Sequence, residues 1–302
     1  MRSLSVCLWL LTAAIAQEQH LITAIATNRS TGKAVGGLTA NDLEMVQDGQ
    51  SFRAASVRTM DGPKDILFVI DNNLPLVRQS LTAGIRIAEY EFGPEDRAGI
   101  VAFSRKPKLE VPLTGDVRLV LRRLDGITRS RDMRVSKQHA LYDAILLGVQ
   151  NLPERSLDRV SHIVVFTMLA ERQSKANAAE VVAAATNRRV VIDGIVLAPK
   201  YLAQETKRQL GLDAVAADDG LRALSKPTGG ESRIEEPSGY LLRQALLRIR
   251  SRLQVAGTTQ EHGPVGLRLT AEGKIKYPDL EFRILSDEVS PAKTTAGVGE
   301  RQ

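Results

Sequence analysis

Lys64-Asp65-Ile66-Leu67-Phe68-Val69-Ile70-Asp71-Asn72-Asn73-Leu74-Pro75 is the stretch on which the fold turns. From Ile66 to Ile70 every residue is apolar, the pattern of a strand buried on both faces of a sheet. The run stops at the carboxylate of Asp71. Asn72-Asn73 follow, a residue type that tolerates the left-handed backbone of a tight turn. Val77, Leu81, Ile85, Ala88 and Phe92 then recur at helical spacing. A doubly covered strand followed by an amphipathic helix is the building unit of a parallel α/β sheet.

Downstream the alternation continues. Ala98 to Phe103 is a second strand, and Thr114 or Asp116 can cap a helix whose apolar face is Val117, Val120, Leu121 and Leu124. Leu141, Ala144, Ile145, Gly148, Val149 and Leu152 mark another helix. Strands are expected at Ile163 to Phe166 and Val190 to Leu197, with an alanine-rich helix, Ala176 to Thr186, behind Ser174. Leu221 to Leu224 is expected in a short helix whose N-terminus is Asp218-Asp219, because acids favour that end. Leu242, Ala245, Leu246, Ile249 and Leu253 mark a long final helix that would also carry Arg243, Arg248, Arg250 and Arg252. The fold class is α/β, a Rossmann-like doubly wound, mostly parallel sheet over residues 63–255. Such sheets put their functional loops beyond the C-terminal strand ends, here after Asp71, Ser104, Thr167 and Ala198.

The flanks have a different texture. In residues 17–62, His20 to Thr27, Leu43 to Val46 and Phe52 to Val57 read as strands, the last two joined by the turn dipeptide Asp48-Gly49. In residues 256–287, Val265 to Leu269 and Leu280 to Leu285 flank a turn expected at Glu272-Gly273. Neither set alone can bury a sheet face, so the two are expected to pair into one small β module. Residues 288–302 are polar and are expected to be a disordered tail. Residues 1–16 read as a signal peptide, with Arg2, a short apolar run from Val6 to Ala13, and the cleavage site Ala14-Ile15-Ala16. Export to the periplasm or beyond the cell is expected. No later apolar run reaches transmembrane length.

Composition excludes several chemistries. The only cysteine, Cys7, lies within the leader, which removes disulfides, thiolate catalysis and thiolate metal sites from the mature chain. The net charge is +6, its basic residues are scattered, and few aromatics are interleaved, which argues against nucleic acid. No Gly-x-Ser-x-Gly elbow and no His-Glu-x-x-His pair occurs.

Gly37-Leu38-Thr39-Ala40-Asn41-Asp42-Leu43-Glu44 with Gln47-Asp48-Gly49, Ala140-Leu141-Tyr142-Asp143-Ala144-Ile145, and Leu221-Arg222-Ala223-Leu224-Ser225 leading into Thr228-Gly229-Gly230 follow in order around the strand that ends at Asp71. Together they resemble a bacterial secreted subfamily of von Willebrand factor A-like proteins. The resemblance implies a divalent cation, usually magnesium, at the C-terminal edge of the sheet, held by Asp-x-Ser-x-Ser, a threonine and a second aspartate. Carried over, those positions are Asp71, Asn73, Pro75, His139 and Met168. Only Asp71 is kept; Asn73 offers a carbonyl, Pro75 nothing, His139 a poor magnesium ligand and Met168 a soft thioether. His139 with Asp71 lacks a third zinc ligand. No cofactor is therefore expected. Asp71 is expected to cap a turn and Met168 to be a packing residue, with Asp143 facing solvent or capping a neighbouring turn.

The function implied is a non-enzymatic module that binds a protein or an envelope polysaccharide through its upper loops. The contributing residues would be Asn72, Asn73, Leu74, Arg105, Lys106, Arg129, Arg131, Arg134, Lys137, Glu171 and Arg172. Two alternatives stand beside it. One is a haloacid dehalogenase-like phosphatase with Asp71 as nucleophile and Thr167, Lys175 and Asp218-Asp219 as later motifs; its leaving-group acid is missing at Asn73. The other is a structural subunit of an envelope assembly.

Overall fold

A computed structural model describes residues 18–30, 35–59, 62–72, 88–129, 139–154, 159–250, 252–259 and 263–291. In chain order the elements are β1 (Glu18–Asn28), β2 (Leu43–Gln47), β3 (Gln50–Thr59), β4 (Lys64–Asp71), β5 (Arg97–Phe103), β6 (Pro107–Thr114), α1 (Val117–Arg129), α2 (Leu141–Asn151), β7 (Val160–Thr167), α3 (Ala178–Asn187), β8 (Val190–Leu197), α4 (Gln204–Leu210), α5 (Ala214–Ser225), β9 (Ser232–Glu235), α6 (Leu241–Arg250), β10 (Arg252–Thr259), β11 (Gly266–Leu269), α7 (Ala271–Lys276) and β12 (Leu280–Pro291).

One sheet runs β6-β5-β4-β7-β8-β9. All neighbours are parallel except the edge pair β5 and β6. The strand decoded first from the sequence is thus central, and its alternating side chains feed two cores. Ile66, Phe68 and Ile70 pack with Val120, Leu121 and Leu124 of α1 and with Leu242, Leu246 and Ile249 of α6. Leu67 and Val69 pack with Leu141, Ile145 and Val149 of α2, Val181 of α3 and Leu221 of α5. At about 1.5–3 kcal/mol per fully buried large apolar side chain, this two-faced burial dominates the stability of the unit.

The second sheet, β11-β2-β3-β10-β1-β12, interleaves strands from the two ends of the chain. β1 lies antiparallel between β10 and β12. Ile22, Ala24, Leu43, Met45, Leu253 and Val255 form its core. The expected small β module is present. Asp48 (φ 47°) and Gly49 (φ 81°) make the β2–β3 turn, both in the left-handed region that a tight two-residue hairpin demands.

Several local expectations are corrected. β6 is a further strand: Leu109, Val111 and Leu113 alternate with Lys108, Glu110 and Pro112, and prolines and charges of this kind are what edge strands use against further pairing. The helix expected to start at Asp218-Asp219 begins earlier: the Asp213 side chain accepts from Ala216 N at 3.0 Å, and Asp218 is buried in mid-helix. α3 is capped by Asn177 in a capping box with Glu180, not by Ser174. The turn expected at Glu272-Gly273 is α7, because Thr270 Oγ1 accepts from Gly273 N at 3.1 Å and caps it. Arg252 and Leu253 belong to β10 of the antiparallel sheet, not to the final helix. β12 continues through residues 288–291, expected as tail, because β1 pairs with it as far as Pro291. α4 and β9 are short, polar elements that the sequence reading left out. Gly230 has a steric reason: a Cβ there would lie 1.9 Å from the Ile192 carbonyl oxygen. The expected signal peptide, residues 73–87 of the first helix, and residues 292–302 lie outside the described residues.

Candidate functional site

Parallel strands β4, β5 and β7 all end at one edge of the sheet, called the upper edge here. Asp71 closes β4, and Asn72 N donates to Phe103 O at 2.8 Å. Ala140 N donates to Ser104 O at 2.8 Å, which draws residues 139–140 across the strand ends just before α2. His139 is thereby set against Asp71, with Nε2 3.0 Å from Oδ2. The same carboxylate oxygen lies 3.2 Å from the Thr167 hydroxyl and accepts from Met168 N at 3.2 Å. Asp71, His139 and Thr167 are all 0% exposed. The Phe103 ring meets His139 edge-on, with centroids 5.1 Å apart.

This donor set does not fit a hard divalent cation. Such an ion needs six or more oxygens at about 2.0–2.6 Å. Here Asp71 faces an imidazole nitrogen, a hydroxyl and a main-chain N–H whose positive end points at it. Met168 stands where the resemblance would set the second aspartate. Its side chain joins the core with Phe166 and Leu197. Among the described residues no group of three or more histidine, cysteine, aspartate or glutamate side chains is placed to hold a metal. Asn73 and Pro75, the other carried-over positions, lie outside the described residues.

A second layer fixes the loops. Ala140, at the start of α2, offers no side-chain cap. Glu171 supplies it from the loop after β7: Oε2 accepts from Tyr142 N at 2.9 Å and from Ser174 Oγ at 2.7 Å, and Oε1 accepts from Gln173 N and Ser174 N at 2.6 Å. Ser174 Oγ in turn accepts from Asp143 N at 3.0 Å, and Asp143 accepts from Lys175 N and Ala176 N at 3.0 and 2.8 Å. Asp143 therefore caps the neighbouring turn. His139 O accepts from Arg172 N and Gln173 N. Residues 139–143 and 167–176 are one hydrogen-bonded block.

Of the residues expected to meet a partner, Asn72, Arg105, Lys106 and Arg172 are exposed along this upper edge. Arg172 also donates to Gly211 O at 3.2 Å. Glu171 is half-buried and spends both carboxylate oxygens on the block. Arg129 is the last residue of α1, while Asn73, Leu74, Arg131, Arg134 and Lys137 lie outside the described residues. The sequence reading did not assign Thr167 or Glu171 their roles beside Asp71 and α2. Thr167 was marked as a strand end, but nothing in the local sequence of Glu171 points to a helix 29 residues earlier.

The α/β unit is a doubly wound, mostly parallel sheet with one antiparallel edge strand, β6, beside β5 and an aspartate at the upper end of the central β4. No protein-family profile and no curated protein matches the sequence. Among solved structures, this chain is similar to the conserved hypothetical protein BatB from Bacteroides thetaiotaomicron, at 17% identity and a TM-score of 0.45, covering 62% of this chain and 97% of that one. An aerotolerance-related membrane protein from Bacteroides fragilis matches at 15% identity and a TM-score of 0.44, covering 62% and 98%. The SpRpn10 VWA domain matches at 17% identity and a TM-score of 0.38, covering 62% and 94%. Among the described residues, no helix is long and apolar enough to cross a membrane.

Proposed function

We propose that this chain is an exported, non-enzymatic binding module whose A-like domain engages a protein or an envelope polysaccharide through its upper loops, without a bound cation. The observation that carries the reading is the filled carboxylate of Asp71, met at 3.0–3.2 Å by His139, Thr167 and Met168 N. A partner that no longer bridges through a metal must be recognised by side chains. Of the residues expected to meet a partner, Asn72, Arg105, Lys106 and Arg172 are exposed on that edge, and three of them are basic, which suits an acidic partner. The phosphatase alternative needs an accessible nucleophile, and Asp71 is 0% exposed. Asp218, offered as a late motif for that chemistry, is held on α5 by Ser232 and Arg222.

Calorimetric titration of the purified protein with magnesium, manganese and calcium tests the reading. No saturable heat is expected. Saturable binding that disappears in Asp71→Ala would restore a working metal site and sink the proposal. Charge reversal of Arg105, Lys106 and Arg172 to glutamate is expected to weaken capture of the envelope partner at least tenfold by pull-down. Unchanged capture would take these loops out of the interface.

A further inference from the structure

The antiparallel sheet joins the A-like domain at the lower edge of the parallel sheet, where the chain passes from β3 to β4 and from α6 to β10. Arg252, the first residue of β10, is 2% exposed and reaches into the domain. Its Nη2 lies 2.9 Å from both oxygens of Asp193 on β8, and its Nη1 lies 2.7 Å from Nδ1 of His162 on β7. A guanidinium only donates, so Nδ1 of His162 is an acceptor; the ring is neutral with its proton on Nε2. Around this triad, Lys64 from β4 adds positive charge, and Asp193 also accepts from Glu231 N at 3.1 Å. Glu231 pairs with Arg248 of α6 and, with Glu235, flanks Arg233 of β9.

We propose that Arg252, Asp193 and His162 form an acid-operated latch: protonation of His162 displaces Arg252 from Asp193 and frees the antiparallel sheet to move away from the A-like domain while both stay folded. The chemistry follows from the distances. A proton on Nδ1 would point at a guanidinium nitrogen 2.7 Å away, removing an acceptor and setting cation against cation. Asp193 Oδ2 is already 3.7 Å from Nδ1, so a small ring rotation lets the imidazolium take the carboxylate in place of Arg252. Burial first, and then Arg252, push the His162 imidazole down to about 4 from its ordinary 6.5. Between those values the open form binds one proton more than the closed form. Falling pH therefore favours opening, by roughly tenfold per pH unit and up to roughly 300-fold across the window.

The test uses the full chain with Cys7→Ser and dyes placed through Ala55→Cys on β3 and Glu205→Cys on α4, both exposed positions. Energy transfer is expected to fall between about pH 5 and pH 4, with far-ultraviolet circular dichroism unchanged. In His162→Gln the amide oxygen still accepts from Arg252 but takes no proton, and the fall should vanish from that range. A wild-type protein with constant transfer down to pH 4, or a His162→Gln protein with the wild-type profile, overturns the latch. Where His162→Gln does not fold, carbon-labelled histidine in the wild type decides by nuclear magnetic resonance. A His162 midpoint coincident with the loss of transfer supports the latch, and a midpoint near 6.5 with transfer unchanged overturns it.

Discussion

At the upper edge of the parallel sheet, Asp71 sits among an imidazole, a hydroxyl and a main-chain N–H. At the lower edge, Asp193 is gripped by the Arg252 guanidinium, and Asp65 by Arg97 and Arg159 at 2.7–2.8 Å. Asp71 and Asp65 are both 0% exposed, yet their surroundings differ in kind. The lower carboxylates meet permanent cations. For Asp65, burial works to raise the carboxyl, and Arg97 and Arg159 together hold it below the usual carboxylate range. For Asp193, Arg252 overcomes burial in the same way. None of the three groups at Asp71 is a permanent cation. The lower edge is therefore architectural: Arg252 ties the antiparallel sheet to β8, and Asp65 ties β4 to Arg97 of β5 and Arg159 before β7. At the upper edge, where the resemblance implies a cation, Asp71 meets an imidazole, a hydroxyl and a main-chain N–H.

The sharpest way to break this contrast is Arg252→Met. It strands Asp193 in the interior and is expected to cost about 3–5 kcal/mol in urea unfolding. Replacing both partners, as Arg252→Met with Asp193→Leu, should recover most of that loss, since paired apolar groups of similar volume satisfy one another. A single variant within 0.5 kcal/mol of wild type would show that the lower edge carries no such burden.

Acid sharpens the contrast from the other side. His162 titrates at about 4 in the folded chain and near 6.5 when unfolded. Between these values the unfolded state binds more protons, so stability is fully present above pH 6.5 and falls as pH drops through the window, by up to about 3 kcal/mol. Asp193, held far below 3.8, contributes a second loss that begins only near that value. Urea midpoints at pH 7, 5.5 and 4 should decline in wild type. In His162→Gln they should stay level until about pH 5, below which the unfolded chain's carboxyls at Asp193, Asp65 and Glu110 bind protons that the folded chain's do not.

These lower-edge groups were the least legible in the sequence. Arg252 follows three arginines of α6 and reads as part of the same helix; only the antiparallel pairing of β1 with β10 turns it inward. His162 has no local sequence feature that points to Arg252 90 residues later. By contrast, the central strand, both cores and the hairpin at Asp48-Gly49 were readable, because apolar runs and turn residues act locally. The upper site was half legible. Asp71, His139 and Met168 were recognisable as a set, but Thr167 and Glu171 act through contacts 96 and 29 residues away along the chain. The short elements α4 and β9 hold too few apolar residues to set a period, and in β6, where Leu109, Val111 and Leu113 do alternate, Pro107 and Pro112 argue against a strand.

Asp71→Ala probes the upper edge directly. It leaves the His139 ring and the Met168 N–H without their common acceptor, while the Thr167 hydroxyl keeps Leu169 O at 3.0 Å, and is expected to cost about 1–3 kcal/mol in thermal unfolding. That is less than Arg252→Met, because no charge is stranded. Addition of magnesium should move the wild-type midpoint no more than it moves the variant's, whereas a site saturated at one hundred times its Kd would add about 2.7 kcal/mol. A loss exceeding that of Arg252→Met would erase the distinction between the two edges.

The smallest expected effect is that of Glu171→Gln. Glu171 accepts four donors with two oxygens, and it serves as the N-cap that Ala140 does not provide. Glutamine keeps one acceptor oxygen and turns the other position into a donor facing N–H groups. A cap of this kind is worth about 1 kcal/mol, so unfolding should shift by about that amount. Hydrogen exchange should locate the change at Tyr142 N, Asp143 N and Ser174 N, with the lower edge untouched. Because Glu171 holds the block and does not face outward, Glu171→Gln should leave partner capture within twofold of wild type, while Arg172→Glu, a few ångströms along the same loop, reduces it. If the two variants lose capture equally, the upper edge acts as one rigid recognition surface, and the division between a structural glutamate and a contacting arginine on adjacent positions falls.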